Sequence, residues 1–184
     1  MRCLYCIVGP SGSGKSTLAA QLTMKRRMTP VVSRTTRPPR YPNEPGHIFT
    51  DEKWFQDQRH NLAAYTKYDG YHYGVTFEEL SRCDLYVIDP AGLLTLRQRC
   101  KKKLRVIWLD ISERAAKGRM LARGDDEQQA LRRIREDQER FSPAMKALVQ
   151  PDLVLLSDIF PPEAIYNIVL KFIGENEYWS WKYV

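Results

Sequence analysis

The chain has 184 residues and a mass of 21.5 kDa, the length of one domain or of one domain with a small inserted lobe, and long enough to bury a core without staples. No apolar run reaches the roughly 20 residues of a membrane span, which excludes a transmembrane role, and the first apolar run stops at Gly9 instead of continuing as a signal peptide, so a cytoplasmic address is expected. The excess of 29 Lys+Arg over 22 Asp+Glu, a net +7, suits an anionic ligand but is too mild and too dispersed to argue for nucleic acid.

Cys3 to Val8 reads as a short buried strand. Cys3 and Cys6 have the spacing of a redox or zinc pair, but residues three apart on a strand point to opposite faces, which favours packing over chelation. Gly14 to Arg26 reads as a helix and Val31 to Ser33 as a second strand. Arg34 to Gly46 is irregular, stiffened by Pro38, Pro39, Pro42 and Pro45. A short helix is expected over Asp51 to Arg59. Ala63 to Tyr68 and Tyr71 to Val75 flank Asp69-Gly70, a strong hairpin signal. Thr76 and Glu79 have the spacing of a capping box. Leu85 to Ile88 is a strand closed by Asp89-Pro90, followed by a helix over Gly92 to Arg99 and a strand over Leu104 to Leu109. Ser112 to Phe141 is polar, arginine-rich and interrupted at Gly124-Asp125-Asp126. Ser142-Pro143 restarts a helix, Leu153 to Leu156 is the last strand, and Glu163 to Ile173 the last helix.

Strands alternating with helices predict an α/β fold, a parallel sheet covered by helices. The hairpin-rich stretch from about 34 to 80 interrupts that rhythm and is expected to be an inserted mixed β lobe.

Gly9-Pro-Ser-Gly-Ser-Gly14-Lys15-Ser16 matches the phosphate-loop pattern in full, after a strand and opening a helix. Glycines let backbone N–H groups turn inward to phosphate oxygens, and the helix N-terminus adds its positive end. Gly9, Ser11, Gly12, Ser13, Gly14, Lys15, Ser16 and Thr17 are therefore the expected ATP-binding residues. Lys15 would reach the outer phosphates, and the Ser16 hydroxyl Mg²⁺. The motif predicts a nucleoside triphosphate site and leaves the reaction open, since GTPases, ATPases and kinases share it.

Ser33-Arg-Thr-Thr-Arg37-Pro-Pro-Arg40 puts three arginines in a proline-stiffened loop. Guanidinium forks suit a phosphate monoester, although a basic surface loop would look the same in isolation. Tyr73 is placed to add a hydroxyl or, more plainly, to pack across the hairpin. Arg119, Arg123 and Arg133 are candidates to neutralise charge on a phosphoryl group in transfer, against the plainer reading of a solvated basic face. Asp89, at a strand end, would hold Mg²⁺ through water or contact the acceptor, unless Asp-Pro is only a turn.

Together these residues resemble the guanylate kinase family of P-loop nucleoside monophosphate kinases. The likeness rests on the Gly9–Ser16 loop, Ser33-x-Thr-Thr-Arg37-x-x-Arg40, Gly46-His47-Ile48-Phe49, Gly70-Tyr71-His72-Tyr73-Gly74, and Arg123-Gly124 with Arg133, in order over about residues 3 to 173. The resemblance implies a single domain over 1–184, with a core (1–33, 81–114, 142–184), an acceptor-binding lobe (34–80) and a helical lid (115–141). It implies ATP and Mg²⁺, with GMP or dGMP as acceptor. Lys15, Arg37, Arg123 and Arg133 would be catalytic, with Arg132 the alternative to Arg133. Ser33, Arg37, Arg40, His47, Tyr73 and Asp89 would bind the acceptor, and Ser16 and Asp89 the metal. The expected partners are small nucleotide substrates, with no nucleic acid and no membrane, and the chain is expected to be a monomer or homodimer.

Three positions depart from the family pattern. His47 stands where the family has a phosphate-binding tyrosine, Ala64 where it has a glutamate on the guanine edge, and Val75 where it has a Ser or Thr. Removing those guanine partners leaves buried donors unpaired, at about 1–3 kcal/mol each. A kinase of another deoxy- or modified nucleotide, or an enzyme like ribose 1,5-bisphosphate phosphokinase with no base to read, therefore stays open. A non-catalytic binding domain is the third reading, disfavoured by Lys15, Ser16 and the arginines.

Overall fold

The computed structural model describes residues 3–39, 41–44 and 46–181, with side chains to residue 175. In chain order its elements are β1 (Leu4–Val8), α1 (Lys15–Arg26), β2 (Ser33–Thr35), β3 (His47–Phe49), α2 (Glu52–Asp57), β4 (Leu62–Tyr68), β5 (Tyr71–Thr76), α3 (Phe77–Ser81), β6 (Leu85–Val87), α4 (Pro90–Arg99), β7 (Leu104–Asp110), α5 (Glu113–Ala122), α6 (Glu127–Arg140), α7 (Pro143–Val149), β8 (Leu153–Leu156) and α8 (Pro162–Trp181). Two four-stranded sheets result, ordered β6-β1-β7-β8 and β3-β2-β5-β4. The first is the expected parallel sheet. Every residue of β1 is buried, as are Val106 to Leu109 of β7, which is why those strands read as unbroken apolar runs rather than alternating ones. Cys6 is part of this core and is not in a disulfide.

The chain divides into two compact units, Met1–Cys6 with Met28–Arg105, and Ile7–Arg27 with Val106–Val184. The first unit contains the mixed sheet. β2 pairs in parallel with β3 (Ser33 opposite His47) and antiparallel with β5 (Thr35 opposite Tyr73). β4 and β5 form the predicted hairpin, with Asp69 at φ 50 and Gly70 at φ 79 in its turn, the two left-handed positions a tight turn between twisted strands needs. The capping box is present: Thr76 accepts from the Glu79 N–H, and Glu79 reaches back to the Thr76 N–H.

In the second unit β7 and β8 pair in parallel, Ile107 opposite Leu153. α5 and α6 are held together by buried Ala116, Met120 and Ala130, with Ile111 and Ile134 against them. Asp126 caps α6 and Ser142 caps α7.

Four local expectations shift. The second strand is Ser33–Thr35 rather than Val31 to Ser33, because Val31 donates its N–H to the Leu85 carbonyl and Thr29 accepts from the Leu85 N–H, bridging Pro30 to Leu85, while the residues beyond join the other sheet. β3 lies just past the stretch expected to be irregular, where no element was expected: three residues are too few to carry a periodic signal, and their pairing comes from β2. α4 begins at Pro90, because Asp89 is its cap, accepting from the Ala91 and Gly92 N–H groups. α8 continues past Ile173 to Trp181.

Candidate active site

The phosphate loop lies in the second unit. A Cβ on Gly9 would stand 2.4 Å from the Leu109 carbonyl oxygen, and one on Gly12, at φ +77, would meet the Ala116 carbonyl oxygen at 3.0 Å. Those two glycines let the loop lie directly on β7 and α5. Ser13 is buried, and its Oγ has no hydrogen-bond partner among the described residues. Ser16 and Thr17 are exposed on the first turn of α1.

Lys15 folds back on the loop, its Nζ donating to the Pro10 carbonyl at 2.8 Å. The residue is half-buried, but its ammonium end is desolvated. Burial lowers it to about 8; the Asp137 carboxylate opposes the fall, while Arg123 and Arg133 add to it. Arg123 forks onto Asp125 at 2.6 and 3.1 Å, and Arg133 reaches the same carboxylate at 3.4 Å. Arg132 is exposed instead and approaches Glu136 at 3.7 Å. Arg119 braces the loop, donating to the Gly12 carbonyl at 3.1 Å and to Ser157.

Asp137, which the motif search passed over, accepts a hydrogen bond from the Ser11 backbone N–H at 2.6 Å and is only 6% exposed. A cavity of about 170 Å³ adjoins this contact, lined among others by Pro10, Ser11, Ile134 and Asp137. The available signal was periodicity: on α6, Ala130, Ile134 and Asp137 share the packed face, so a carboxylate stands where an apolar residue is expected.

The first unit gathers the other candidates. Ser33 Oγ lies 2.9 Å from His47 Nδ1, and the His47 and Tyr73 rings meet edge to face at 5.8 Å. Arg37 forks onto Glu44 at 2.8 and 3.1 Å, with the two side chains 11% and 7% exposed. Burial opposes its charge, but Glu44 and Tyr73 overcome that and hold the guanidinium above its usual range. Ser33, Arg37, His47 and Tyr73 thus form one cluster, with Glu44 as the member that sequence reasoning missed. Arg40 lies outside the described residues. Asp89 belongs to a neighbouring group: its Oδ1 accepts from the Thr66 hydroxyl at 3.2 Å as well as from two N–H groups of α4. Ala64 and Val75 pair across the hairpin and are both buried. A Cβ on Gly74 would be 3.0 Å from Phe55 and 3.1 Å from the Ala64 carbonyl oxygen, which accounts for the glycine after Tyr73.

Known proteins are similar to this chain in sequence and in fold. Residues 4–145 match the family model described as an AAA domain, and the chain belongs to that P-loop family. The guanylate kinase of Nitrosomonas europaea is 32% identical over 144 residues, 72% of each chain. The chain belongs to the guanylate kinase family. The guanylate kinase of Synechococcus sp. is 31% identical over 141 residues, covering 71% of this chain but 65% of that protein, a little under two thirds of its length. The crystal structure of guanylate kinase from Anaplasma phagocytophilum superposes with a TM-score of 0.71 over 95% of this chain and 86% of that one; at 18% identity it speaks for the fold. Among the described residues, no helix is long and apolar enough to cross a membrane.

Proposed function

We propose that the protein transfers the terminal phosphoryl group of ATP to the phosphate of a small acceptor, in the cytoplasm where ATP is supplied. The observation that carries this reading is the complete phosphate loop with Lys15 in the electrostatic reach of Arg123 and Arg133. An acceptor phosphate oxygen attacks the γ-phosphorus, the bond to the β–γ bridging oxygen breaks, and ADP leaves with that electron pair. Such a transfer needs positioning and charge rather than a general base. In this reading the loop from Gly9 to Thr17 holds the donor and residues 115–141 close over its phosphates. Within the lobe at 34–80, Ser33, Arg37, Arg40, His47 and Tyr73 hold the acceptor, with Asp89 beside them.

Bound Mg²⁺ would neutralise donor phosphate charge, and it needs few protein ligands because it keeps waters and takes phosphate oxygens. The exposed Ser16 hydroxyl fits that demand. Asp89 Oδ1 already accepts three hydrogen bonds, so a share in the metal would fall to its Oδ2.

GMP or dGMP is the acceptor that the family suggests. The paired, buried Ala64 and Val75 argue for weak discrimination, since an apolar wall distinguishes ligands by only about 10–200-fold. The same observation favours the second reading, an acceptor other than guanine nucleotide, such as ribose 1,5-bisphosphate or another deoxynucleotide. Measuring kcat/KM with ATP and GMP, dGMP, AMP, CMP, dCMP, UMP, dTMP and ribose 1,5-bisphosphate tests both. Exclusive use of GMP or dGMP overturns the specificity argument, and no transfer to any acceptor overturns the catalytic one.

A further inference from the structure

The phosphate loop already has an anion on it. Asp137 Oδ2 takes the Ser11 N–H at 2.6 Å, a short distance that marks a charge-assisted bond. Its carboxylate is almost wholly buried, on the face of α6 that packs through Ala130 and Ile134. A buried charge of that kind persists only where it is compensated, and here the compensation is a loop amide and the nearby positive Lys15. Lys15 meanwhile donates to the loop's own Pro10 carbonyl. The loop is thus closed by its own groups at the positions where a donor phosphate would bind.

A backbone N–H has one hydrogen. A phosphate oxygen and the Asp137 carboxylate cannot both hold it at this distance, and two anions within hydrogen-bond range of one donor repel each other. We propose that Asp137 is a latch on the phosphate loop, a stand-in for donor phosphate that the nucleotide must displace. Asp137 and Arg133 lie one turn apart on α6, with Arg133 tied through Asp125 to Arg123. Releasing Asp137 therefore frees α6 to move both arginines, and donor binding is coupled to the placement of the charges that serve the transfer. The latch rests on the loop being the nucleotide site.

The test measures binding of ATP and of inorganic pyrophosphate to the full chain by calorimetry at constant ionic strength. Asp137→Asn keeps the shape and an acceptor oxygen but removes the charge. It should tighten both ligands by about tenfold or more, the worth of a charge-assisted hydrogen bond. Glu113, which lines the same cavity, is the control for charge alone: Glu113→Gln should change binding by less than about twofold. In ¹³C,¹⁵N-labelled protein without ligand, the Ser11 amide should move upfield in Asp137→Asn; in wild type the Asp137 carboxylate carbon should shift when pyrophosphate is added and takes over that amide. Unchanged or weaker binding in Asp137→Asn, equal tightening in Glu113→Gln, or a Ser11 amide indifferent to Asp137 each overturn the latch while leaving the nucleotide site standing. Failure of every variant to bind either ligand overturns the site and the latch together. The carboxylate measurement on wild type decides the matter even where a variant folds poorly: an Asp137 resonance unmoved at saturating pyrophosphate overturns the latch.

Discussion

Two regions of this molecule are the proposed phosphate sites, and in each a carboxylate of the chain itself already takes hydrogen-bond donors. On the phosphate loop the occupant is Asp137, 126 residues from the Ser11 amide it takes. In the mixed β unit it is Glu44, seven residues from Arg37. The donors differ in capacity. The Ser11 amide has one hydrogen, so occupation excludes a ligand. A guanidinium has five; Glu44 and the Pro38 carbonyl take three from Arg37 and Tyr73 is within its reach, so one carboxylate does not use up its donors. At the proposed sites an internal carboxylate would therefore compete with the ligand at the first and position the ligand's partner at the second. Neutralising the two carboxylates should have opposite signs.

The largest effect that tests this contrast is loss of the donor site. Lys15→Ala should lower phosphoryl transfer at least about 10²-fold, as removal of a charge acting on the transition state does, with the melting temperature little changed. Wild-type-like turnover would remove the loop from the chemistry and leave nothing to compare.

Arg37→Met should act next, on two readouts. It takes the bidentate guanidinium away from buried Glu44, and breaking a buried pair costs about 3–5 kcal/mol, so thermal unfolding shifts down by several degrees. Acceptor kcat/KM should fall by about tenfold or more while ATP affinity holds. A fall in ATP affinity with normal acceptor kinetics would move Arg37 to the other substrate.

Glu44→Gln sharpens the comparison most directly. It should raise acceptor KM by about three- to tenfold, with kcat and ATP affinity nearly unchanged, because Arg37 loses the fork that orients it. A lower acceptor KM would show that Glu44 blocks Arg37, and the two sites would then work alike.

The smallest effect concerns the frame of the acceptor unit. Burial raises Glu79, but the Thr76 N–H and hydroxyl and the Arg34 guanidinium overcome this and hold it below the ordinary glutamate value. A depressed carboxylate contributes stability above its unfolded pKa and loses it as pH falls through the folded one. Denaturation of wild type from pH 6 to pH 3 should show that loss, and Glu79→Gln should flatten the profile by about 1 kcal/mol or less, given a side chain 28% exposed. An unchanged slope would detach Glu79 from the stability of β2 and α3.

How much was legible follows the same division. Caps and tight turns are local: Thr76-x-x-Glu79 and Asp69-Gly70 specify their own backbone, and both stand where the spacing put them. The phosphate loop is legible for the same reason, its residues being consecutive and its glycines required by contact with Leu109 and Ala116. β3 was illegible because three residues after a proline-rich stretch carry no periodicity, and only pairing with β2 makes them a strand.

The sequence by itself determined the alternation of strands and helices, the loop and the arginines near it, because each is written in neighbouring residues whose backbone or charge decides the outcome locally. The tertiary structure alone decided which arginine joins Arg123 on Asp125, that Arg119 braces the loop, and that Asp137 takes the Ser11 amide and Glu44 the Arg37 fork. Those are side-chain pairings, and for all but Glu44 the partners come from separate elements. Hydrogen bonds and ion pairs act over a few ångströms whatever the distance along the chain, so only folding could choose the partner.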